Sequence, residues 1–433
     1  MTDATRHVGS PRFPSADELR ESQRTRLAAL LQRVMATNPF WRERLSGVAF
    51  DPDADALKRI PLLARADIED DQRIHPPFGS NLTEPLERYC RYHQTSGTKG
   101  RPVRFLDTAE SWNWWKTCWR AIYEAAGVTS RDRIVFPFSF GPFVGFWCAF
   151  DAAVDMGCLS LPAGGMSTKA RLAYIIDNDV DVVCCTPTYA LRMAEVAAAE
   201  KVNIAASRVR ALIVAGEPGG NVPATRQRIE SAWNARVFDH VGMTEVGPWG
   251  FECVAAPGYV HVNESEFIAE VIDPATRAAV GDAESGELVL TNLGRVSCPL
   301  LRYRTGDQVR LRRGVCACGR SDLRLVGGVL GRLDDMITVR GNNVFPSGLE
   351  QAIRRIDGVA EYRVIVSTES AMDQLLVEIE PFRRGDPLPE VLAADVARAI
   401  RDDLHLSVAV RTLDPGSLPR FEMKSRRVTR KST

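Results

Sequence analysis

The sequence is short of several features that carry strong functional messages. It has no charge excess, since Lys plus Arg and Asp plus Glu stand at 55 each over 433 residues. Bulk charge therefore gives no case for nucleic acid or an anionic membrane as partner. No unbroken apolar run comes near the roughly 18 residues of a spanning helix, and Met1 to Ser15 is polar, with no apolar centre that could serve as a secretory signal. A cytoplasmic protein without a membrane partner is expected. Repeats and low-complexity tracts are absent. The ten cysteines lie mostly in apolar stretches, as with Cys148, Cys184 and Cys185, where reduced buried thiols are the rule and disulfides are not expected. The length predicts two or three domains at about 100 to 200 residues each.

What is present centres on the segment Thr95-Ser96-Gly97-Thr98-Lys99-Gly100, which follows a short extended run, Arg88 to His93. Glycines let the backbone turn its N–H groups inward, the hydroxyls add donors and Lys99 adds a cation, which together suit a polyphosphate. The spacing is not that of a Walker loop, and a Ser/Thr/Gly surface turn is the plain alternative. Upstream, Ser15 to Ala36 has helical periodicity and reads as a docking helix. Downstream, Ala109 to Ala126 carries Trp112, Trp115 and Trp119 at helical spacing, which reads as core packing.

From Asp132 onward short apolar runs (Arg133 to Phe138, Asp181 to Thr186, Arg210 to Ala215, Ala235 to His240) alternate with amphipathic helices (Lys169 to Asp177, Tyr189 to Lys201, Asn221 to Trp233). This order predicts a parallel α/β sheet covered on both faces, with ligands beyond the carboxyl ends of its strands. Two segments fall there: Gly216-Glu217-Pro218 and Asp239-His240-Val241-Gly242-Met243-Thr244-Glu245. Glu245 suits a magnesium ion whose other ligands are water and phosphate, although Thr244-Glu245 also reads as a helix cap. In Thr305-Gly306-Asp307 the carboxylate suits the cis-diol of a ribose, or an ordinary turn.

Cys253, His261, Cys316 and Cys318 supply the donors of a tetrahedral zinc site, with plain reduced cysteines as the alternative. From Gly331 onward a strand, a helix (Pro346 to Asp357), two strands, a helix (Pro389 to Leu404) and a strand suit a small α+β domain. The basic tail, Gly416 to Arg427, reads as a solvated terminus.

Together these segments resemble the adenylate-forming superfamily, and within it the phenylacetate–coenzyme A ligase-like branch of aryl-CoA ligases. The resemblance rests on Thr95 to Gly100, Gly216 to Pro218, Val241 to Glu245, Tyr303 to Asp307, Gly331 to Met336, Arg340 to Pro346 and Pro419 to Lys424, in the family's order. The form Asn343-Val344-Phe345-Pro346 points to this branch. It implies a large N-terminal ATP- and acyl-binding domain (1–331), built of parallel α/β sheets plus a β-rich subdomain, a hinge (332–335) and a small mobile C-terminal domain (336–433).

By the same resemblance, Thr95, Ser96, Gly97, Thr98, Lys99 and Gly100 hold phosphates, Thr244 contacts the α-phosphate and Glu245 holds Mg²⁺. Gly216, Glu217 and Pro218 line the adenine, and Asp239 joins the ATP site. Asp307 and Arg332 bind ribose, and Asp334 is the hinge. Lys424 is the mobile catalytic lysine, with Met423 in place of the usual glycine before it. Phe140 and Phe143 match the aromatic substrate pocket, shared with Gly216, and zinc is expected at the Cys/His set. The implied reaction activates an aromatic acid with ATP and transfers it to coenzyme A. The alternatives are loading of a carrier-protein phosphopantetheine and, from a different class, a zinc-stabilised nucleic-acid-binding protein, which the neutral charge disfavours. A homodimer is common among related enzymes.

Overall fold

The structure, a computed structural model, describes residues 13–48, 56–95, 101–339, 342–369, 372–383, 385, 387–422 and 424–430. Ser96 to Gly100 and Met423 therefore lie outside the described residues.

The predicted alternation forms. Strands Arg133–Phe136, Leu159–Pro162, Val182–Cys185, Ala211–Val214 and Arg236–Met243 pair in parallel. The intervening helices Thr168–Asp177, Pro187–Ala199 and Pro223–Trp233 start with Ser or Thr caps or with proline, as helix N-termini favour. Strand Leu159–Pro162 was not legible as a strand; it lies at the sheet edge, next to Arg133–Phe136 alone, and its pattern is half exposed.

The resemblance implied parallel α/β sheets plus a β-rich subdomain within the large domain. Both are present, and they share one eleven-stranded sheet. Strand Arg236–Met243 is parallel to Ala211–Val214 on one side and antiparallel to Gly247–Glu252 on the other. From there the sheet runs antiparallel through Tyr259–Val262, Arg324–Arg332, Tyr303–Arg312, Ser285–Asn292 and Phe267–Ile272. The expected docking helix, Ala16–Thr37, starts with a capping box between Ser15 and Glu18. It is fixed to the antiparallel half where Gln23 donates to the carbonyls of Glu264 and Phe267, both at 2.9 Å. Trp112, Trp115 and Trp119 are buried in the same core, as expected.

A separate apolar core runs from Ile337 to Leu406. Its four-stranded sheet has the order Ala409–Thr412, Met372–Pro381, Val359–Glu369, Val428–Arg430. The tail is thus no solvated terminus. Val428–Arg430 pairs in parallel with Val359–Glu369, and Arg427 is buried between Glu361 (Nε to Oε1, 2.7 Å) and Thr188 of the large domain (3.1 Å). No described helix is long and apolar enough to cross a membrane.

Candidate active site

Met243 pairs with Gly247, so Thr244 and Glu245 occupy a hairpin turn at the seam of the sheet. The helix-cap alternative is thereby removed. The turn is backed by an ion pair with no solvent exposure on either side chain. Arg295 donates to both Asp107 oxygens at 2.7 Å, and its Nη1 reaches the carbonyls of Thr244 (2.9 Å) and Glu245 (2.6 Å). A bidentate guanidinium fixes its partners in a plane, so the turn is positioned from behind.

In front of the turn stands Arg65, the first residue of helix Arg65–Ile74. Its Nη1 donates to Glu245 Oε1 at 2.7 Å and its Nη2 to Thr95 Oγ1 at 3.1 Å. Thr95 closes the stem of the phosphate-loop candidate: its N–H donates to Val103 O at 2.9 Å, and Val103 N–H donates to Thr95 Oγ1 at 3.0 Å. The loop base and the proposed metal carboxylate thus stand on one guanidinium.

Asp307 lies inside strand Tyr303–Arg312, not in a free turn, opposite Arg332 in register. Arg332 Nη1 approaches Asp307 Oδ1 at 3.4 Å, while its Nε donates to Asp334 Oδ1 at 3.0 Å. Burial pushes the Asp307 carboxyl up to about 7, against the pull of Arg332. Burial likewise raises Asp239 to about 7, opposed by the hydrogen bond from Asn221. Asp239 covers Gly220, where an added Cβ would come within 2.3 Å of Oδ1.

Lys424 enters this cleft from the small domain. Its side chain is open to the water of the cleft, yet protein crowds it enough that desolvation lowers its pKa, with Glu217, Glu245 and Asp307 opposing. Gly216 has φ +96, and a Cβ there would sit 3.4 Å from Lys424 Cε, so glycine serves both the backbone turn and the close approach. Glu217 does something the sequence did not indicate. Its Oε2 accepts from Ser425 N (2.6 Å) and Ser425 Oγ (2.8 Å), while Oε1 accepts from Thr188 N (3.0 Å). The lysine loop is therefore latched to the large domain through this carboxylate. Arg420 to Glu195 at 3.0 Å and Thr168 to Glu422 at 3.2 Å add to the same contact.

The family models fall on these elements. One described as an AMP-binding enzyme matches residues 67–295 and one described as an AMP-binding enzyme C-terminal domain matches residues 341–431. The chain belongs to the adenylate-forming, AMP-binding enzymes. It is 32% identical over 429 residues to the phenylacetate–coenzyme A ligase of Thermus thermophilus, covering 94% of this chain and 95% of that one, and like that family it is an AMP-forming acyl–CoA ligase. Among solved structures, 2-hydroxyisobutyryl-CoA ligase in its postadenylation state superposes with a TM-score of 0.91 at 28% identity, covering 97% of this chain and 91% of that one. The same ligase in its thioesterification state scores 0.72 at 28% identity, with the same shares covered. The arrangement of the two domains is therefore nearer to the first of these states than to the second.

In this ligase Phe140 sits among other rings, edge-on to Phe138, Trp147 and Phe150 with centroids 5.6, 4.7 and 5.7 Å away. Phe143 is half-buried in the same segment. The segment is tied to the phosphate-loop stem by Gln94 N–H donating to Pro142 O at 2.8 Å.

The predicted metal donors converge: ligand atoms of Cys253, His261, Cys316 and Cys318 all lie within 4.8 Å of one another. Cys253 Sγ and Cys316 Sγ are 3.9 Å apart, and Cys318 Sγ is 3.7 Å from His261 Nε2. Tetrahedral zinc with sulfur ligands at about 2.3 Å calls for sulfur separations of about 3.8 Å, so the donor set fits. Asp322 Oδ2 stands 3.9 Å from the other ring nitrogen, His261 Nδ1.

Arg65, Arg295 and Asp107 went unnoticed in the sequence. Each is a lone charge in an ordinary context, and its partners lie far along the chain. Only the helix-start position of Arg65, after Pro61, was a local signal.

Proposed function

We propose that this ligase activates an aromatic carboxylic acid of the benzoate, anthranilate or phenylacetate type and transfers the acyl group to coenzyme A. The observation that carries the reading is geometric: Lys424 lies against Gly216, Arg332 reaches Asp307, and Glu245 is joined to Thr95 through Arg65. The relative's activity as a phenylacetate–coenzyme A ligase and the aromatic rings around Phe140 support an aryl acid.

In the first half-reaction the substrate carboxylate attacks the α-phosphorus of ATP. The Lys424 ammonium sits where it offsets negative charge on the α-phosphate and the attacking carboxylate, and Thr244 donates to the same phosphate. Asp307 accepts hydrogen bonds from the ribose hydroxyls, held in place by Arg332. Thr95, with Ser96, Thr98 and Lys99, receives the departing pyrophosphate; Gly216 and Pro218 flank the base, with Asp239 behind them. Magnesium, held by Glu245, would supply further positive charge to the leaving group.

For the second half-reaction the small domain rotates about Asp334, withdrawing Lys424 and admitting the thiol, a step of the kind that often limits turnover. Zinc held by Cys253, His261, Cys316 and Cys318 would serve structure, because a closed four-ligand site leaves no position for substrate.

ATP–pyrophosphate exchange over a panel of aryl acids, aliphatic acids and 2-hydroxyisobutyrate, followed by thioester detection with coenzyme A, tests this reading. Exchange with an aryl acid and a CoA product is expected. Exchange only with aliphatic acids would overturn the substrate class, and exchange without a CoA product would move the acceptor to a carrier protein.

A further inference from the structure

Arg65 occupies a position that the reaction as described does not use. All three of its nitrogens meet acceptors: Nε donates to Glu69 Oε1 at 2.8 Å, Nη1 to Glu245 Oε1 at 2.7 Å and Nη2 to Thr95 Oγ1 at 3.1 Å. Its placement is exact because the residues before it are fixed to the nucleotide strand. Leu63 N–H donates to Arg302 O at 3.0 Å, and Arg304 N–H donates to Leu63 O at 2.8 Å. The same strand, Tyr303–Arg312, carries Asp307. A helix start, a phosphate-loop stem and a metal-type carboxylate thus meet at one side chain.

Two physical arguments separate this residue from a simple strut. The first is charge. A magnesium ion on Glu245 would stand beside the guanidinium, and two cations on one carboxylate repel unless an anion lies between them. The terminal phosphates of ATP, received at Thr95, are that anion. The second is shape and access. A planar guanidinium pairs with phosphate oxygens through two parallel hydrogen bonds, and the Arg65 side chain keeps 33% of its surface open while Glu245 keeps 12%. It has room to turn.

We propose that Arg65 is a phosphate-positioning residue of adenylation. It holds Glu245 and Thr95 in register through its two terminal nitrogens. With magnesium held by Glu245, Arg65 would be free to pair with the terminal phosphates and then with the pyrophosphate they become. This rests on the adenylation reading given above. The role belongs to the first half-reaction alone, because thiol attack on a finished acyl-adenylate involves no pyrophosphate.

The test uses full-length enzyme, wild type, Arg65→Ala and Arg65→Lys, with thermal unfolding recorded for each. Calorimetric titration with magnesium pyrophosphate reads binding without turnover. Arg65→Ala is expected to weaken that binding about ten-fold or more and to slow ATP–pyrophosphate exchange. Thioester formation from supplied acyl-adenylate and coenzyme A should stay within about two-fold. Arg65→Lys, which keeps the charge and loses the fork, should fall between, and it carries the test alone if Arg65→Ala does not fold. Unaltered pyrophosphate affinity in a folded variant overturns the proposal and leaves a strut. Equal loss in both half-reactions overturns it as well. Should wild type show no exchange with any acid, the adenylation reading fails, while the pyrophosphate titration still reports on Arg65.

Discussion

Glu217 gives the sharpest prediction, because the sequence pattern and the geometry assign it different work. By pattern it lines the adenine; in the structure its Oε2 takes two hydrogen bonds from Ser425, next to Lys424. Hydrogen bonds to a charged group contribute about 1.5 to 3 kcal/mol each. Glu217→Gln keeps the size and an acceptor oxygen but removes the charge, so the docked loop should lose about 1.5 to 3 kcal/mol in total. At about 1.4 kcal/mol per factor of ten, the docked arrangement falls roughly ten- to hundred-fold relative to the undocked one. Single-turnover formation of acyl-adenylate should slow accordingly, with the KM for ATP changed by less than about three-fold, while thioester formation from supplied acyl-adenylate holds or rises. Ser425→Ala removes only the hydroxyl bond and should cost about five-fold. A large rise in the KM for ATP with an unchanged rate would refute the latch and return Glu217 to the nucleotide. Equal loss of both half-reactions would refute it too.

Other outcomes follow from the same geometry. Arg295→Met strands the buried Asp107 carboxylate and should lower stability by about 3 to 5 kcal/mol in urea unfolding; a loss below about 1 kcal/mol would show that the turn does not depend on it. Desolvation depresses Lys424 below its ordinary 10.5, so its ammonium deprotonates at lower pH than a free lysine. Adenylation should therefore decline early on the alkaline side, and Lys424→Arg should abolish that limb of the pH profile; an unchanged limb would assign it elsewhere. Elemental analysis should find one zinc per chain, lost in Cys316→Ser with a fall in melting temperature; a metal-free wild type of equal stability would mean plain reduced thiols. Asp334→Pro should impair thioester formation more than adenylation, and equal impairment would dismiss the hinge.

The parts of this site that were legible in sequence are those whose chemistry sits within a few neighbouring residues. Glu245 with Thr244 and Gly216 before Glu217 each lie at their own turn, and Asp307 directly follows Gly306, whose φ is +74. The grouping of Cys253, His261, Cys316 and Cys318 was legible because thiols and imidazole have few other reasons to recur in a turn-rich stretch. Arg65 and Arg295 were not, since an arginine declares its role only through its partner, and Asp107 lies 188 residues from Arg295. The tail strand Val428–Arg430 was hidden for a related reason: three residues beside a basic run carry too short a pattern to signal pairing. Alternation of strand and helix stops at Met243, where the sheet continues with its strand direction changed, and the sequence carries no local mark of that pairing.

That seam imposes a constraint on length. The turn at Thr244 and Glu245 sets the register of Gly247–Glu252 against Arg236–Met243, and strand faces alternate residue by residue. One inserted residue would turn the whole following strand over. Phe251 pairs with His261 and stacks on it at 5.6 Å, so the slip would carry into Cys253 and His261 and pull the metal donors apart. Substitutions inside the turn change chemistry locally, whereas a change in its length would disturb the cleft around Glu245 and the Cys/His donor set in a single event. Insertions should accordingly be accepted in outer loops such as the one around Thr276 and rejected here.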